Sequence, residues 1–425
     1  MGLRPYQEIA ADFLFERDRA MILAPVGAGK TAITLTAMQD MTQRGLVRRW
    51  LVLAPKRVAE SVWPVEQPKW APALSISVAV GPPAKRKAAY AAATDVVVTN
   101  YDNIPSIEGD FDAVVFDELT RLKNPSGKRF KYLAKLLDNF KIRWGLTGSF
   151  TSNGLEDVFG QCKVIDQTLL GRSKGAFLQQ YFYCVHREFG AWEPRAGALE
   201  NVMRVIKPAT FVLEPGEYKD RLPELHTVEM RCDMDLTPYN KMKKDFVLEL
   251  GETITAPTAA AVTNKLQQLA GGFIYGVLGA EWVSAHKYEL LSDILEENQH
   301  ANTIIVYNYK EELAELRRRY PKAQTLDDTD AINRWNDKKI ELLLIHPKSA
   351  QFGLNLQFGG NIMVFLSLPW SLVDFEQAIG RLHRSGQTRD VWVYVLMSRD
   401  TIDEKIFSAL QKKRSIAEIA LDALT

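Results

Sequence analysis

The stretch Ala24-Pro25-Val26-Gly27-Ala28-Gly29-Lys30-Thr31 decides the fold. It follows a short apolar run, residues 20–24, and precedes an amphipathic pattern that opens with Ala32-Ile33-Thr34-Leu35. Between a strand and a helix, such glycines let backbone N–H groups surround a polyphosphate, and the helix N-terminus adds its positive end. The lysine then reaches the β and γ phosphates, and the threonine hydroxyl binds Mg²⁺. The predicted nucleotide-binding residues are therefore Pro25, Gly27, Ala28, Gly29, Lys30 and Thr31.

Short apolar runs alternate with amphipathic stretches on both sides of this loop. Unbroken β-branched runs separated by helical patterns are typical of buried strands in a parallel sheet. In the first 150 residues the runs are 20–24, 50–54, 75–80, 95–99 and 113–116. Similar runs return at residues 303–306, 341–345, 361–366 and 391–396. The expected fold class is α/β, with two parallel-sheet lobes in tandem.

The segment between these two series has longer amphipathic patterns, so we expect mainly helical protrusions there. Residues 1–222 are predicted to form lobe 1, with a protrusion from about residue 154. Residues 223–425 are predicted to form lobe 2, with a protrusion at about 230–285. Predicted helices include Leu236–Leu250, Thr258–Leu269 and a C-terminal helix over residues 398–424 with Ser398 or Asp400 as its N-cap.

Composition excludes several classes of protein. The 425 residues carry 53 lysines and arginines against 52 acidic residues, so any site for a polyanion must be local. Three cysteines without C-x-x-C spacing argue against a disulfide framework and against a cysteine-based zinc site. No secretory signal or membrane-length apolar stretch is present, which predicts a cytoplasmic protein without a membrane partner.

A second acidic motif completes the predicted nucleotide site. Asp117 and Glu118 directly follow the apolar run 113–116. A phosphate loop needs an acidic residue at a neighbouring strand end to hold the metal and a base to align water. We expect Asp117 to hold Mg²⁺ and Glu118 to orient and deprotonate the attacking water.

An arginine-rich segment lies shortly before the last apolar run. It reads Gln377-Ala378-Ile379-Gly380-Arg381-Leu382-His383-Arg384-Ser385-Gly386-Gln387. Arginines at i and i+3 share one face of a helix, and guanidinium groups suit the spread charge of a phosphoryl transition state. The segment predicts Gln377, Arg381 and Arg384 as catalytic residues supplied by lobe 2.

Together these residues resemble the superfamily 2 helicase-type ATPases and, within them, the Swi/Snf-like DNA translocases, in a short bacterial or phage form. The resemblance covers nearly the whole chain and implies two RecA-like lobes that use ATP and Mg²⁺. In lobe 1 the matching segments are Arg4–Gln7 (adenine), Leu53–Lys56 and Val98–Tyr101 (strand tracking), Asp117–Asn124 (the acidic motif with its basic extension) and Leu146–Ser149 (coupling). In lobe 2 they are Ile304–Tyr307, Ser349–Leu356, the arginine segment and Trp370.

The resemblance also assigns roles to single residues. Arg4, Gln7 and Gly353 are expected at the nucleotide, and Thr147, Gly148 and Ser149 are expected to couple hydrolysis to movement. The predicted catalytic residues are Lys30, Asp117, Glu118, Gln377, Arg381 and Arg384. The predicted nucleic-acid-binding residues are Lys56, Asn100, Tyr101, Lys128, Arg129, Ser349, Gly353 and Trp370.

Two departures from the family pattern stand out. Leu119-Thr120 replaces the common Ala-His after the acidic pair, so coupling is expected to differ. The chain also has no room for chromatin-reading modules after lobe 2, which favours a motor of a bacterium or of a phage-infected cell over a nucleosome remodeller.

The leading hypothesis is a DNA-stimulated ATPase that moves on duplex or branched DNA as a monomer with low sequence specificity, in repair or replication, with replication or recombination proteins as partners. One alternative is a strand-separating or branch-migrating helicase on DNA or RNA. An alternative of another class is an ATP-switched clamp that binds nucleic acid without moving.

Overall fold

The computed structural model describes residues 2–25, 27–151, 154–186, 191–213, 222–250, 252–256, 258–349 and 354–422. The chain divides into two units. The first unit comprises residues 1–220 together with 413–425, and the second comprises residues 221–412. The predicted division, 1–222 and 223–425, differs from this one because the last residues of the chain group with the first unit.

A parallel sheet forms the centre of the first unit. The strands of this unit are β1 (Arg19–Leu23), β2 (Trp50–Ala54), β3 (Ile76–Ala79), β4 (Val96–Asn100), β5 (Ala113–Asp117), β6 (Ile142–Thr147), β7 (Phe182–His186), β8 (Ala191–Pro194) and β9 (Thr210–Val212). Seven of them make the sheet in the order β3-β4-β2-β5-β6-β1-β9, and all its neighbours are parallel. β7 and β8 pair antiparallel as a separate hairpin.

Helices connect these strands, as parallel pairing requires. They are α1 (Pro5–Phe15), α2 (Lys30–Gln43), α3 (Lys56–Ser61), α4 (Trp63–Trp70), α5 (Pro83–Ala91), α6 (Lys128–Ala134), α7 (Asp157–Ile165), α8 (Lys174–Tyr181) and α9 (Ala198–Ile206). Among the described residues of this unit, 3₁₀ helices lie at Tyr101–Ser106, Leu119–Leu122, Leu137–Asn139 and Lys207–Ala209.

Both faces of this sheet are buried. In β2, Leu51 and Leu53 belong to one apolar core, while Trp50, Val52 and Ala54 belong to the core on the opposite face. Because neither face meets water, the strand reads as a continuous apolar run rather than as an alternating one.

The carboxyl ends of parallel strands meet at one edge of the sheet, and this edge carries the predicted motifs. The phosphate loop follows β1, the coupling segment follows β6 and the acidic pair lies at the end of β5. Lys56 follows β2, and Asn100 ends β4. Since the strands lie in the order β4-β2-β5-β6-β1, β5 stands between the nucleotide motifs and the predicted nucleic-acid segments.

The second unit is built on another parallel sheet. Its strands are β10 (Leu225–Cys232), β11 (Val247–Leu250), β12 (Glu252–Thr255), β13 (Phe273–Tyr275), β14 (Ala280–Trp282), β15 (Thr303–Val306), β16 (Gln324–Thr325), β17 (Leu342–Ile345), β18 (Ile362–Phe365) and β19 (Val391–Ser398). Six of them form the sheet in the order β10-β19-β18-β15-β17-β16. β11 with β12 and β13 with β14 form two antiparallel hairpins.

Helices again lie between the strands. They are α10 (Thr237–Asp245), α11 (Ala259–Ala270), α12 (His286–Glu297), α13 (Lys310–Arg319), α14 (Ala331–Asn336), α15 (Leu372–Ile379) and α16 (Ile402–Asp422). Thr258 caps α11, because its side chain accepts a hydrogen bond from the N–H of Ala261. Within the described part of the chain, every helix is too short or too polar to traverse a bilayer.

Two predicted helices differ from the structure. The predicted helix Leu236–Leu250 ends at Asp245, and the chain then turns at Phe246 (φ 59°) into β11. The reason is packing, since Leu248 and Ile254 bury their side chains together in the hairpin. At the C-terminus, Ser398 remains in β19, so neither Ser398 nor Asp400 is the N-cap of α16; the Thr401 hydroxyl accepts the hydrogen bond from the N–H of Asp403.

Candidate nucleotide site and nucleic-acid interface

The phosphate loop joins β1 to α2 as the sequence predicts. Gly29, which precedes the first residue of α2, has φ 85°, a left-handed conformation that favours glycine. The Nζ of Lys30 donates hydrogen bonds to the carbonyl oxygens of Ala24 and Pro25 at 2.7 and 3.0 Å. The ammonium group therefore lies against the loop that is predicted to hold phosphates. Val26 lies outside the described residues.

The start of α1 holds the same loop. The Nε2 of Gln7 donates to the carbonyl oxygen of Ala28 at 3.1 Å, and the hydroxyl of Tyr6 donates to the same oxygen at 3.2 Å. The N–H of Arg4 donates to the Oε1 of Gln7 at 2.9 Å. The structure thus brings Gln7, one of the two predicted adenine residues, to the phosphate loop, and the main chain of Arg4 is bonded to Gln7.

Asp117 ends β5 and is buried. The indole Nε1 of Trp63 donates to its Oδ2 at 2.9 Å, and the hydroxyl of Tyr101 donates to its main-chain oxygen at 2.6 Å. Burial, reinforced by the nearby Glu118 charge, raises the pKa of Asp117 to about 6, although the bond from Trp63 and the charge of Lys30 act in the opposite direction. The carboxyl group is fixed in place and poorly solvated.

These residues fit a hard divalent cation. Mg²⁺ prefers oxygen ligands, and the Thr31 hydroxyl at the start of α2 and the Asp117 carboxylate at the end of β5 are oxygen ligands on two elements of one sheet edge. A buried carboxylate whose pKa is raised by burial is a group that a cation stabilises in its charged form. Thr31 and Asp117 would hold Mg²⁺, which there would neutralise charge on the phosphates.

Glu118 has an unusual backbone conformation. Its φ and ψ are 58° and 62°, which is the left-handed region, and the 3₁₀ helix Leu119–Leu122 begins directly after it. Non-glycine residues in this region carry strain, and such strain concentrates at functional sites. The half-buried carboxylate follows the metal-binding position immediately, where a group that orients water is expected.

The coupling segment is bonded to the strand that carries the phosphate loop. The Thr147 carbonyl oxygen accepts a hydrogen bond from the N–H of Ala24 at 3.0 Å. The Thr147 hydroxyl donates to the Ser149 carbonyl oxygen at 2.8 Å, and Gly148 between them is exposed. Ala24, where the loop begins, is therefore bonded directly to the segment that the resemblance assigns to coupling.

The predicted nucleic-acid residues of the first unit fall into two groups. Lys56, Lys128 and Arg129 are exposed, and Arg129 forms an ion pair with Asp102. Asn100 and Tyr101 are buried instead, with the Asn100 Oδ1 accepting from the Nδ2 of Asn103 at 2.6 Å and Tyr101 bonded to Asp117. For that second group the observed contacts are internal, and their role at a nucleic acid stays a prediction.

The arginine segment of the second unit is not helical, which corrects the expectation of a shared helix face. α15 ends at Ile379, and the chain continues in turns, with the N–H of Arg381 donating to the Ala378 carbonyl oxygen at 3.1 Å. Arg381 is 3% exposed, while the Nη1 of Arg384 donates to the Leu354 carbonyl oxygen at 3.1 Å. Gln377 lies in α15, and its buried Oε1 accepts no hydrogen bond from the described residues.

Gln387 fixes this turn, and the sequence prediction did not assign it a role. Its Nε2 donates to the carbonyl oxygens of Gln357 and Gly360, both at 3.0 Å. On the other side, the Nε2 of His383 lies 2.8 Å from the Pro223 carbonyl oxygen. The turn is thus bonded at His383, between the two arginines, and at Gln387, after them, which explains why a continuing helix does not form. In the sequence, the feature that could have indicated this role was the position of Gln387 at the end of the arginine-rich segment.

The remaining predicted residues of the second unit lie after two strands. Ser349 follows β17 in a turn, where its N–H donates to the His346 carbonyl oxygen at 2.8 Å. Trp370 is 44% exposed, and its Nε1 donates to the Oε1 of Gln267 on α11 at 2.9 Å. Gly353 lies outside the described residues.

Sequence reasoning also missed Trp63. No local signal distinguishes it, because a tryptophan in an amphipathic segment after a strand looks like an ordinary core residue. Its contact with Asp117 spans 54 positions of the chain and becomes visible only in the folded sheet.

Comparison with known proteins gives several similar chains. A protein named p41 from Acyrthosiphon pisum secondary endosymbiont phage 1 is 35% identical, over 99% of this chain and 98% of that one. The chromatin structure-remodeling complex subunit snf21 of Schizosaccharomyces pombe is 24% identical over 92% of this chain, which spans 36% of that protein. The solved Sulfolobus solfataricus SWI2/SNF2 ATPase core in complex with dsDNA aligns with 99% of this chain and 93% of its own, at 21% identity and a TM-score of 0.48.

Two family models match the chain. The model of the SNF2-related domain matches residues 6–234, and that of the helicase conserved C-terminal domain matches residues 286–386. The first match covers the phosphate loop, the acidic pair and the coupling segment, and the second extends through Arg381 and Arg384. The chain belongs to the SNF2-related family, and it is an ATPase of the helicase type.

Proposed function

We propose that the protein is an ATP-dependent translocase on duplex or branched DNA, in which DNA stimulates hydrolysis and hydrolysis drives movement. The observation that carries the proposal is the single sheet edge of the first unit. It holds the phosphate loop and the acidic pair beside the segments with Lys56 and Tyr101, and hydrogen bonds from Trp63 and Tyr101 join the two groups at Asp117. The ATP site and the surface that faces DNA share this one sheet edge. Binding of ATP should therefore affect binding of DNA directly, and binding of DNA should affect the ATP site.

The chemistry assigned to each residue follows from its position. Backbone N–H groups of the loop and the Lys30 ammonium bind the phosphates, and Glu118 accepts a proton from the water that attacks the γ phosphate. Arg381 and Arg384 of the second unit stabilise the charge that develops during transfer. Lys56, Lys128 and Arg129 bind DNA phosphates, which carry no base code, so the motor acts with low sequence specificity.

The name of the Schizosaccharomyces pombe relative places that protein in chromatin remodelling. For this chain we propose a narrower role as a monomeric motor in DNA repair or replication, acting in the cytoplasm of a bacterium or a phage-infected cell with replication or recombination proteins.

Phosphate release measured with single-stranded, duplex, forked and four-way DNA, and with RNA, tests the proposal. We expect duplex or branched DNA to raise turnover of the wild-type protein. Glu118→Gln should bind ATP without turning it over, and Lys30→Ala should lose nucleotide use. Absence of stimulation by every DNA form would reject the proposal. ATP-dependent retention of DNA without stimulated turnover would indicate the clamp instead.

One observation favours strand separation as a second candidate function. The tip of the β13–β14 hairpin carries Val277 and Leu278, which are 90% and 89% exposed. The hairpin is held to α13 beside this tip, because the hydroxyl of Tyr275, the last residue of β13, accepts from the N–H of Glu311 at 3.1 Å. A firmly held apolar tip suits a wedge between bases. If the protein displaces the third strand of a triplex but does not unwind a fork, translocation alone is favoured. If it unwinds a fork and Val277→Asp abolishes this unwinding, the wedge is favoured.

A further inference from the structure

Trp63 occupies an unusual place between the surface and the nucleotide site. It is the first residue of α4, and only Val62 separates α4 from α3, whose first residue is the exposed Lys56. The Trp63 side chain is 0% exposed. The surface helix α3 and the buried Trp63 are therefore almost continuous in the chain.

The hydrogen bond of Trp63 has a defined direction and a defined target. An indole N–H only donates, and the Nε1 of Trp63 lies 2.9 Å from the Oδ2 of Asp117. Residues that bond to a metal-holding carboxylate orient it and tune its affinity for the metal. Removing the indole donor while keeping an aromatic ring would leave the carboxyl group buried but without this constraint.

Tyr101 holds the same residue from a second segment. It begins the 3₁₀ helix after β4, and its hydroxyl donates to the main-chain oxygen of Asp117 at 2.6 Å. The side chain and the main chain of Asp117 are thus bonded to the segments that follow β2 and β4. Both segments were predicted to face nucleic acid, yet their inward side chains end on the carboxylate residue of the nucleotide site.

We propose that Trp63 is a positioning residue: it fixes the Asp117 carboxylate for Mg²⁺ and transmits to it the state of the surface segment that carries Lys56. The second part rests on the proposed function, because it requires nucleic acid at Lys56. The first part requires only that the chain binds nucleotide with Mg²⁺.

Trp63→Phe, which keeps the ring and removes the donor, tests the inference. Trp50→Phe is a matched control, since Trp50 is equally buried in the first unit and its Nε1 donates to the Thr42 hydroxyl at 3.0 Å, away from Asp117. Binding of a fluorescent ADP is measured with Mg²⁺ and with EDTA. We expect Trp63→Phe to weaken the Mg²⁺-dependent gain in affinity on the order of 10–100-fold, with binding in EDTA unchanged, as for other residues that orient a metal ligand.

A spectroscopic signal reports the bond without turnover. The chain has nine tryptophans, and ¹⁵N labelling gives one indole N–H signal for each. The signal lost in Trp63→Phe should shift in the wild-type protein when MgADP is added, and again when a duplex oligonucleotide is added. Should Trp63→Phe fail to fold, Asp117→Asn, which changes the acceptor, identifies the same signal.

The outcomes separate the two proposals. If no DNA stimulates the wild-type protein, the proposed function fails, while the Mg²⁺ and MgADP measurements still decide the role of Trp63. If DNA stimulates the wild-type protein, we expect Trp63→Phe to lose most of that stimulation in kcat, measured at saturating ATP and Mg²⁺. The inference would be overturned if Mg²⁺ raised the ADP affinity of Trp63→Phe as much as that of Trp50→Phe. It would also be overturned if MgADP did not shift the Trp63 indole signal.

Discussion

The side-chain amide of Gln7 fills the space in which a β-carbon on Gly29 would lie. A β-carbon built at Gly29 falls well inside contact distance of the Nε2 of Gln7, which donates to the neighbouring Ala28 carbonyl oxygen at 3.1 Å. Gly29 also has φ 85°. The position therefore requires glycine for two separate reasons, and one of them is the clasp between α1 and the phosphate loop.

Comparing Gly29→Ala with Gly45→Ala should separate the effect of the left-handed backbone from the effect of the clash with Gln7. Gly45 has φ 71° and no atom within 4 Å of an added β-carbon. Both variants should lose roughly 1–2 kcal/mol of unfolding free energy, because a left-handed backbone is unfavourable for alanine. Only Gly29→Ala displaces Gln7, so only this variant should bind ATP more weakly, by about tenfold or more on the scale of a lost buried hydrogen-bond network. Equal ATP affinity in the two variants, measured by calorimetry, would contradict the role of the clasp.

Arg384→Ala should retain ATP affinity and lose hydrolysis by about 10³-fold or more, because a guanidinium group that stabilises the phosphoryl transition state contributes little to ground-state binding. Arg389→Ala is the control, since Arg389 is exposed and lies in the same loop. Single-turnover hydrolysis and equilibrium binding give the two quantities separately. Near-wild-type hydrolysis in Arg384→Ala would show that the arginine assignment is wrong.

Asp117→Asn should stabilise the nucleotide-free protein at neutral pH. Burial raises the pKa of Asp117 from 3.8 to about 6, so the stability associated with its neutral form is present below pH 3.8 and is lost as pH rises through 6. At pH 7.5 the neutral asparagine should add about 1–3 kcal/mol to the free energy of unfolding. The gain should shrink as pH falls toward 4.5 in denaturant titrations. Asp110→Asn, at an exposed site, should show no such pH-dependent gain.

His286 should make the second unit acid-sensitive. Burial, together with the Lys287 charge, lowers the pKa of His286 from 6.5 to about 4, and its Nε2 lies 2.7 Å from the Ser398 hydroxyl. Its neutral form therefore contributes stability that is present above pH 6.5 and is lost as pH falls through 4, in total about 2–3 kcal/mol. His286→Asn should flatten the dependence of unfolding free energy on pH in this window, and His300→Asn, at an exposed site, should not. Identical pH dependence in wild type and His286→Asn would rule out this contribution.

The sequence predicted what is local in the chain. β2 coincides with the apolar run Trp50–Ala54 because a strand buried on both faces has only apolar positions. The phosphate loop is equally local, since Gly29, Lys30 and Thr31 act through their own backbone and the helix they begin. These features need no knowledge of strand order.

What the sequence did not predict depends on distant partners. Trp63 meets Asp117 because β2 and β5 are neighbours in the sheet, which no run of residues indicates. The arginine turn departs from a helix because the Gln387 amide bonds to carbonyl groups of Gln357 and Gly360. In the same way, the helix predicted to reach Leu250 gives way to a hairpin because Ile254 offers Leu248 a buried partner.

The place of β10 at the border of its sheet bears on how the protein is made. Among the strands that the structure describes, β10 pairs with β19 alone, with Leu225 opposite Val391 and Cys232 opposite Ser398. Every strand of the first sheet has been synthesised once translation reaches Val212, so this sheet can form while translation continues. The main-chain hydrogen-bonding groups of Leu225–Cys232 must instead wait for this partner until β19 has been synthesised. Because β10 then lacks its partner strand, nascent chains arrested before Val391 should be the most prone to aggregation.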